Sequence, residues 1–339
     1  MKALLSQTPG GPETLTLVDT PAIAPGKGEV AIRVAAVGLN YPDLLIIRDL
    51  YQFKPPRPFA PGSECAGVIE AIGEGVEGVK PGDRVLAVTG WGALAERVVT
   101  AAAGRIMRIP DAMPFTDAAA FLMTYGTSYH ALSARAALKP GETLLVLGAA
   151  GGVGLAAVEL GKALGARVVA ACSSQAKLDI ALAAGADDGI VYPASVDGKD
   201  DSRALAEAFK ALCGKDGANV IYDPVGGGYA EPALRAIAWE GRYLVVGFPA
   251  GIANLPMNLP LLKACSVIGV FWGASVQRDP AGHHRAVQEL FKLYEQGRIR
   301  PNPQIVAGLA AAPAALEALA ARKVAGKLVV DLQGRDGKP

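Results

Sequence analysis

The sequence predicts an α/β protein of two domains, a β-rich one followed by a doubly wound parallel sheet. Two contrasting textures and one turn predict it. Up to about residue 110 the chain consists of short β-branched or alternating runs broken by Pro-Gly and glycine-rich turns. From there to about residue 272, strand-length apolar runs alternate with helix-length ones. The first texture suits a small barrel or sandwich; the second suits parallel strands with helices on both faces. Within it lies Gly-Glu-Thr-Leu-Leu-Val-Leu-Gly-Ala-Ala-Gly-Gly-Val-Gly, residues 141–154, which holds a turn, a buried strand, a glycine cluster and the start of a helix.

In the β-rich part, residues 29–37, 65–72, 84–88 and 95–100 read as strands. Between them stand Pro25-Gly26-Lys27-Gly28, Pro61-Gly62, Gly73-Glu74-Gly75 and Pro81-Gly82-Asp83, all turn signals. The period changes at 111–117, where Thr116 or Asp117 is the expected N-cap of a helical run over 118–123. Residues 143–147 make a strand, 155–164 a helix stopped by Gly165, and 167–171 the next strand, together the size of one βαβ unit. Further helices are expected at 175–184, 203–212, 230–238 and 282–296, and strands at 189–192, 218–222, 242–246, 267–270 and 327–332. Residues 333–339 read as a loose end.

Composition excludes several functions. At 339 residues the chain has room for two domains and a large core. A net charge of +1 with 19% charged residues offers no basic footprint for nucleic acid, so no nucleic-acid partner is expected. Cys65, Cys172, Cys213 and Cys265 lie far apart, which suits reduced thiols and not a disulfide framework or a zinc knuckle. The apolar run at the N-terminus is too short for a signal peptide, and the longest uncharged stretch, 143–158, is glycine-broken and too short to span a bilayer. A cytoplasmic chain without a membrane partner is expected.

The glycine turn points to a dinucleotide. The usual fingerprint has glycines at its first, third and sixth positions; here Ala149, Gly151 and Gly154 hold those places. Gly148 and Gly152 flank the missing first glycine and leave the turn free to adopt positive φ. The backbone of Ala150, Gly151, Gly152 and Val153 would face a diphosphate at the positive end of the helix. NAD sites place an acidic residue at the end of the second strand, about twenty residues on. This chain has Cys172-Ser173-Ser174-Gln175 with Lys177 beyond, two hydroxyls and an ammonium that suit a 2′-phosphate, hence NADP(H).

Four phrases then stand in order: Gly-Leu-Asn-Tyr-Pro-Asp at 38–43, Pro-Gly-Ser-Glu-Cys-Ala-Gly-Val-Ile at 61–69, Val-Lys-Pro-Gly-Asp-Arg-Val at 79–85 and Leu-Ala-Ala-Gly-Ala-Asp at 182–187. With the glycine turn, they resemble the medium-chain dehydrogenase/reductase superfamily over nearly the whole chain. The resemblance implies a GroES-like β-barrel catalytic domain, 1–122 and 273–339, and a Rossmann NADP(H)-binding domain, 123–272. Zinc members of the superfamily carry a cysteine where this chain has Asn40 and a Gly-His-Glu where it has Gly62-Ser63-Glu64. Asn and Ser do not replace the thiolate and imidazole that tetrahedral zinc takes, which leaves Glu64 and Cys65 as isolated donors. The implied branch is the zinc-free, zeta-crystallin-like quinone oxidoreductases.

The same resemblance implies site residues. Lys177, Tyr192 and Arg322, four before Gly326, match places that hold the 2′-phosphate, with Ser173 and Ser174 beside them. Thr127 reaches the cofactor from the start of the first Rossmann helix. Backbone at Gly247, Phe248, Phe271, Trp272 and Gly273 holds the nicotinamide carboxamide, although Phe271 and Trp272 read equally as core or interface aromatics. Asn40, Asp43 and Tyr51 line the cleft. Asn40 either donates to a substrate carbonyl or binds the nicotinamide ribose and a neighbouring loop; Asp43 suits a loop pin better than an acid. Tyr51, in the mobile-looking segment 49–56, either gives a proton to a reduced oxygen or stacks on substrate. Leu45 replaces a cleft tyrosine of relatives. His130 reads as an ordinary helix residue, and His283 and His284 as without a role. The strand at 266–270 is where relatives pair edge to edge, so a homodimer is expected. The implied reaction is hydride transfer from NADPH to a quinone or related α,β-unsaturated carbonyl. Two alternatives remain. A 2-enoyl thioester reductase would need a basic groove beyond Lys54 and Arg57; an NADPH-binding structural or RNA-associated protein is opposed by the near-neutral charge. Segments 41–58 and 250–262, read as loops, shape the pocket.

Overall fold

The computed structural model describes residues 1–333, so all but the first residue of the expected loose end at 333–339 lies outside the described residues. The chain begins with β1 (Lys2–Ser6), β2 (Leu15–Asp19), β3 (Glu29–Leu39), α1 (Tyr41–Ile47), β4 (Glu64–Ile72), β5 (Arg84–Val88), β6 (Arg97–Ala101), β7 (Ile106–Arg108) and α2 (Phe115–Ala118). A helical run follows in which π-type turns, Leu122–Gly126 and His130–Arg135, flank α3 (Thr127–Tyr129). Strands and helices then alternate through β8 (Thr143–Leu147), α4 (Gly152–Ala163), β9 (Arg167–Cys172), α5 (Gln175–Ala183), β10 (Asp188–Val191), α6 (Lys199–Cys213), β11 (Ala218–Asp223) and α7 (Ala230–Arg235). They continue with β12 (Ile237–Val245), α8 (Asn258–Lys263), β13 (Ser266–Gly269), α9 (Trp272–Arg278) and α10 (Pro280–Glu295). The return carries β14 (Gln304–Ala307), α11 (Ala312–Ala320) and β15 (Leu328–Asp331).

Two compact units result, Met1–Met123 with the chain from Pro301 onward, and Thr124–Arg300. The sequence reading grouped 273–300 with the first unit. In the structure α9 and α10 pack on each other and Trp272 seats on Gly126, which draws this segment into the second.

In the first unit β3 is the spine. The sheet order is β14-β15-β3-β4-β5-β7, with β6 also paired to β3, so the strand is bordered on both edges. Its residues from Val30 to Leu39, Arg33 excepted, are buried, and Ile32, Val34, Val37 and Leu39 join Ile69, Val85 and Val330 in one core. A strand hydrophobic on both faces belongs in such a place. Its register to β4 shifts between Ala31 and Ile32 and between Val34 and Ala36, irregularities of the kind that bend a sheet into a barrel.

In the second unit six strands run parallel in the order β10-β9-β8-β11-β12-β13. Counted from β8 this is 3-2-1-4-5-6, the order of dinucleotide-binding sheets, and its switch point lies between β8 and β11. Leu145, Leu147, Val169, Ala171 and Ile221 face a core closed by Leu205, Phe209 and Leu234 from the helices.

Several boundaries differ from expectation for physical reasons. Neither Thr116 nor Asp117 caps a helix: Pro114 is the N-cap, which moves both into the first turn, and the next helical stretch begins only at Leu122. Helix α6 begins at Lys199, because the polar Lys199-Asp200-Asp201 sequence puts two carboxylates at the positive helix end. Helix α7 stops at Arg235 and β12 starts at Ile237, makes a detour at Trp239–Gly241 with Glu240 at φ 54°, and re-enters the ladder at Arg242. The segments read as loops contain α1 and α8.

The glycine turn shows what its glycines do. Gly148 takes the positive φ (57°), one position before the alanine at the fingerprint's first place. A Cβ on Gly154 would lie 2.2 Å from the Gly148 carbonyl oxygen and 2.9 Å from the Ala149 Cα. Gly154→Ala is therefore expected to force α4 off the end of β8 and to destabilise the second unit by about 2 kcal/mol, measured as a lowered midpoint in denaturant; an unchanged midpoint would contradict this packing.

Candidate functional site

In the second unit the C-terminal ends of β8, β9 and β10 gather the predicted cofactor residues. Gly151 is the extended N-cap of α4, and the first N–H bonded within this helix end is that of Leu155, at 2.8 Å from the Gly151 carbonyl. The N–H groups of Gly152, Val153 and Gly154 thus stand at the open positive end of a 12-residue helix. Ala149 and Ala150 are buried beneath, the Ala149 N–H on the Ala171 carbonyl at 3.1 Å. At the end of β9, Ser173 is exposed and Ser174 is the N-cap of α5, its Oγ accepting the Lys177 N–H. Lys177 rises half-buried from that first turn. Burial pushes the Cys172 thiol up, offset in part by the Ala150 N–H and the Lys177 charge. Tyr192 follows β10, buried, its N–H on the Cys172 carbonyl at 2.9 Å and its ring 4.8 Å from that of Tyr229.

A buried polar network supports the turn. Ser128 Oγ lies 2.9 Å from the Val153 carbonyl, to which it donates, and 2.8 Å from the Tyr222 hydroxyl. Asp223, next in the chain, accepts N–H groups of Val225 and Gly226 at 2.8 Å each on one oxygen and the Tyr243 hydroxyl on the other. Burial raises the Asp223 carboxyl above its ordinary range, against these three donors. Sequence reasoning passed over this network, whose members are joined only by the sheet.

The other predicted residues are more scattered. Thr127 opens α3, the first α-helix of the second unit, with π-type turns on both sides of that helix. Gly247 is half-buried, its N–H 3.3 Å from the Asp223 carbonyl, and Phe248 is exposed. Phe271 is exposed, whereas Trp272 is buried at the start of α9, where it packs on Gly126 and edge-on to His283, rings 5.7 Å apart. His130 and His283 line one cavity beside it, of about 210 Å³. Arg322 belongs to the first unit and is exposed, in the left-handed region at φ 57°.

In the first unit Asn40 and Asp43 meet as the cap of α1, the Asn40 N–H 2.8 Å from Asp43 Oδ2. Asp43 is fully buried, and burial pushes its carboxyl up to about 6, against the Asn40 N–H, the neighbouring Ser63 hydroxyl and the Lys327 charge. Ser63 is beside it but out of hydrogen-bonding geometry, so that Asp43 Oδ1 and Ser63 Oγ are both buried without a partner. The Asn40 carboxamide donates to the Gly38 carbonyl at 3.0 Å and to Glu64 Oε2 at 3.4 Å, while its oxygen accepts from the Lys327 ammonium. Lys327 also donates to Glu64 Oε2 at 2.9 Å, and Glu64 Oε1 accepts the Met123 N–H at 2.9 Å. Tyr51 is held by packing, its ring 5.0 Å from Phe53, which lies 5.7 Å from Trp91. Its own burial and the charge of Asp43 raise its hydroxyl above the ordinary phenol range.

Known families have this arrangement. Residues 26–111 match the alcohol dehydrogenase GroES-like domain and 152–292 the zinc-binding dehydrogenase domain. Rat quinone oxidoreductase-like protein 2 is 37% identical over 323 residues, 95% of this chain and 90% of that protein. The chain belongs to the medium-chain dehydrogenase/reductase superfamily. Within it this oxidoreductase is similar in structure to the quinone oxidoreductase of Escherichia coli, solved with NADPH (TM-score 0.86, 28% identity, 98% and 100% of the two chains covered). A mycobacterial protein, also solved with NADPH, gives a TM-score of 0.89 at 29% identity, with 98% and 99% covered.

Zinc in the domain's name does not fit the donors of this oxidoreductase. The Glu64 carboxylate is held by an ammonium, the Asn40 oxygen takes an N–H, and burial followed by the Glu64 charge pushes the Cys65 thiol up to about 12. Among the described residues no three His, Cys, Asp or Glu side chains converge as a metal would require. Likewise, no described helix is long and apolar enough to cross a membrane.

The residue that sequence reasoning missed is Lys327, which it took as the first residue of a strand. Its partners lie 263 and 287 positions away, and only the register shows them: Leu328 pairs antiparallel with Leu39, which puts Lys327 opposite Asn40, and Gly38 pairs with Glu64.

The raised Asp43 pKa fixes the sign of a pH effect. The folded state prefers the neutral acid, so the stabilisation is present at low pH and is lost as pH rises from the ordinary carboxylate range through about 6. Asp43→Asn keeps an acceptor for the Asn40 N–H and cannot ionise. Its stability relative to the parent is expected to improve by up to roughly 3 kcal/mol between about pH 4 and pH 8. Denaturant titrations at the two pH values measure this; a difference independent of pH would show that Asp43 stays ionised.

Proposed function

We propose that this chain transfers hydride from NADPH to a quinone or a related α,β-unsaturated carbonyl, without a metal. The observation that carries the reading is the edge formed by β8, β9 and β10. An open helix end at Gly151–Val153 suits a diphosphate, and Ser173, Ser174 and Lys177 stand at the end of β9 with no carboxylate among 172–177. A ribose hydroxyl pair calls for an acidic acceptor there, a 2′-phosphate for donors and a cation. The relatives solved with NADPH support the same cofactor.

Bound NADPH would supply the hydride. The chain's own part is to hold and to neutralise. Backbone at Ala150, Gly151, Gly152 and Val153 holds the diphosphate; Lys177, Tyr192 and Arg322 serve the 2′-phosphate; Thr127, Gly247, Phe248, Phe271, Trp272 and Gly273 serve the nicotinamide end. Negative charge grows on the substrate oxygen as hydride arrives. Asn40, Asp43 and Tyr51 are the groups proposed to meet it. Arg57, one of the two cations that a thioester arm would need, is bound to Asp49 at 2.7 Å and to the Ile47 carbonyl at 2.9 Å, which counts against that substrate.

The same reading includes a homodimer through β13, an edge strand whose surroundings leave Leu261, Leu262 and Phe271 79%, 64% and 58% exposed. Val267→Lys on that strand is expected to convert the dimer to monomer in light scattering; a parent protein that is already monomeric would refute this.

For the cofactor, kcat/KM should be higher with NADPH than with NADH, and Lys177→Ala should lower it about tenfold for NADPH while leaving NADH within twofold. A smaller loss is expected for Arg322→Ala. The substrate is tested by NADPH consumption with a quinone, an enone and an enoyl thioester side by side. A preference for NADH, or turnover of the thioester alone, would sink the corresponding half of the proposal.

A further inference from the structure

The polar cluster at the end of β3 has one cation, and that cation determines how its neighbours are oriented. Lys327 is 8% exposed and its ammonium lies on Asn40 Oδ1 and Glu64 Oε2. An ammonium only donates, so the carboxamide of Asn40 must turn its oxygen to Lys327 and its NH₂ away. One NH₂ hydrogen is taken by the Gly38 carbonyl at 3.0 Å; the other reaches Glu64 only at 3.4 Å, a weak bond that a better acceptor would replace. The space is built for this. A Cβ on Gly38 would lie 1.9 Å from the Ala119 carbonyl oxygen, 2.9 Å from Glu64 Oε2 and 3.0 Å from Lys327 Cε. Glu64 is in turn held from its other oxygen by the Met123 N–H.

We propose that Lys327 is a positioning residue for the reduction. It fixes Asn40 with the weakly held N–H as the donor offered to a ligand oxygen, and it polarises that amide by bonding to its carbonyl end. Glu64 keeps the ammonium in place and does not act on the ligand itself. The inference rests on the reductase reading for its kinetic part and on the hydrogen bonds alone for its structural part.

The test uses the full chain with three changes: Lys327→Arg, Lys327→Met, and Lys327→Met combined with Glu64→Gln. The last removes both members of the ion pair at once and provides a second variant should the single change fail to fold. With NADPH and the best quinone or enone acceptor, the double variant is expected to lose about 10- to 100-fold in kcat, with the NADPH KM within threefold, less than for outright removal of a preorganised donor because Asn40 itself is retained. Lys327→Arg should retain at least a third of the parent rate. A double variant within threefold of the parent kcat, or an arginine variant no better than methionine, would overturn the proposal. Should the parent turn over none of the acceptors, the reductase reading fails and the orientation of Asn40 is still decided by selectively ¹⁵N-labelled asparagine. The Asn40 side-chain amide pair should be resolved and slow to exchange in the parent, and should shift and exchange faster in the double variant. An unchanged pair would overturn the positioning role by itself.

Discussion

The first unit is organised around one buried ion pair. Three backbone segments end at it: β3 through Asn40, β4 through Glu64 and β15 through Lys327. A lysine and a glutamate, 8% and 1% exposed, are stable together only because each is also hydrogen-bonded to the surrounding frame. Loss of either partner leaves the other charged in a closed space, which in comparable sites costs roughly 3–5 kcal/mol. The pair therefore constrains the residues packed around it. Gly38 cannot carry a side chain and Asn40 cannot flip, while the Lys327 charge works against the burial that pushes Asp43 toward its neutral form.

The second unit depends on crowding instead. Its sheet brings the ends of β8, β9 and β10 side by side, and α4 can begin there only because Gly154 approaches the Gly148 carbonyl. What is left open at that edge is backbone N–H, two serines and a lysine, a surface suited to phosphate. Beneath it Ser128, Tyr222, Asp223 and Tyr243 use up their polar atoms on one another and on backbone, which stiffens the turn without presenting anything to a ligand.

Much of this was legible in the chain. The alternation of strand and helix, the glycine turn and the serine-lysine end of β9 are local patterns, and local patterns survive in one dimension. The boundaries that moved did so where a tertiary effect outweighed propensity. Lys199-Asp200-Asp201 looks like loop until a helix end makes use of its carboxylates, and Trp239–Gly241 interrupts a strand because the ladder to β11 skips there. Lys327 was invisible for a different reason. Nothing near it in the chain announces a buried cation, and only strand pairing brings its partners to it.

That pairing has a consequence for how the gene can vary. Side chains alternate along β15, and its register against β3 sets which side the residue before Leu328 occupies. One residue inserted at the start of β15 would carry the ammonium to the opposite face, while substitutions in the preceding turn at 322–326 would leave it where it is. Lengthening the chain at that point is thus expected to disturb the cluster more than replacing residues 323–325 of the turn.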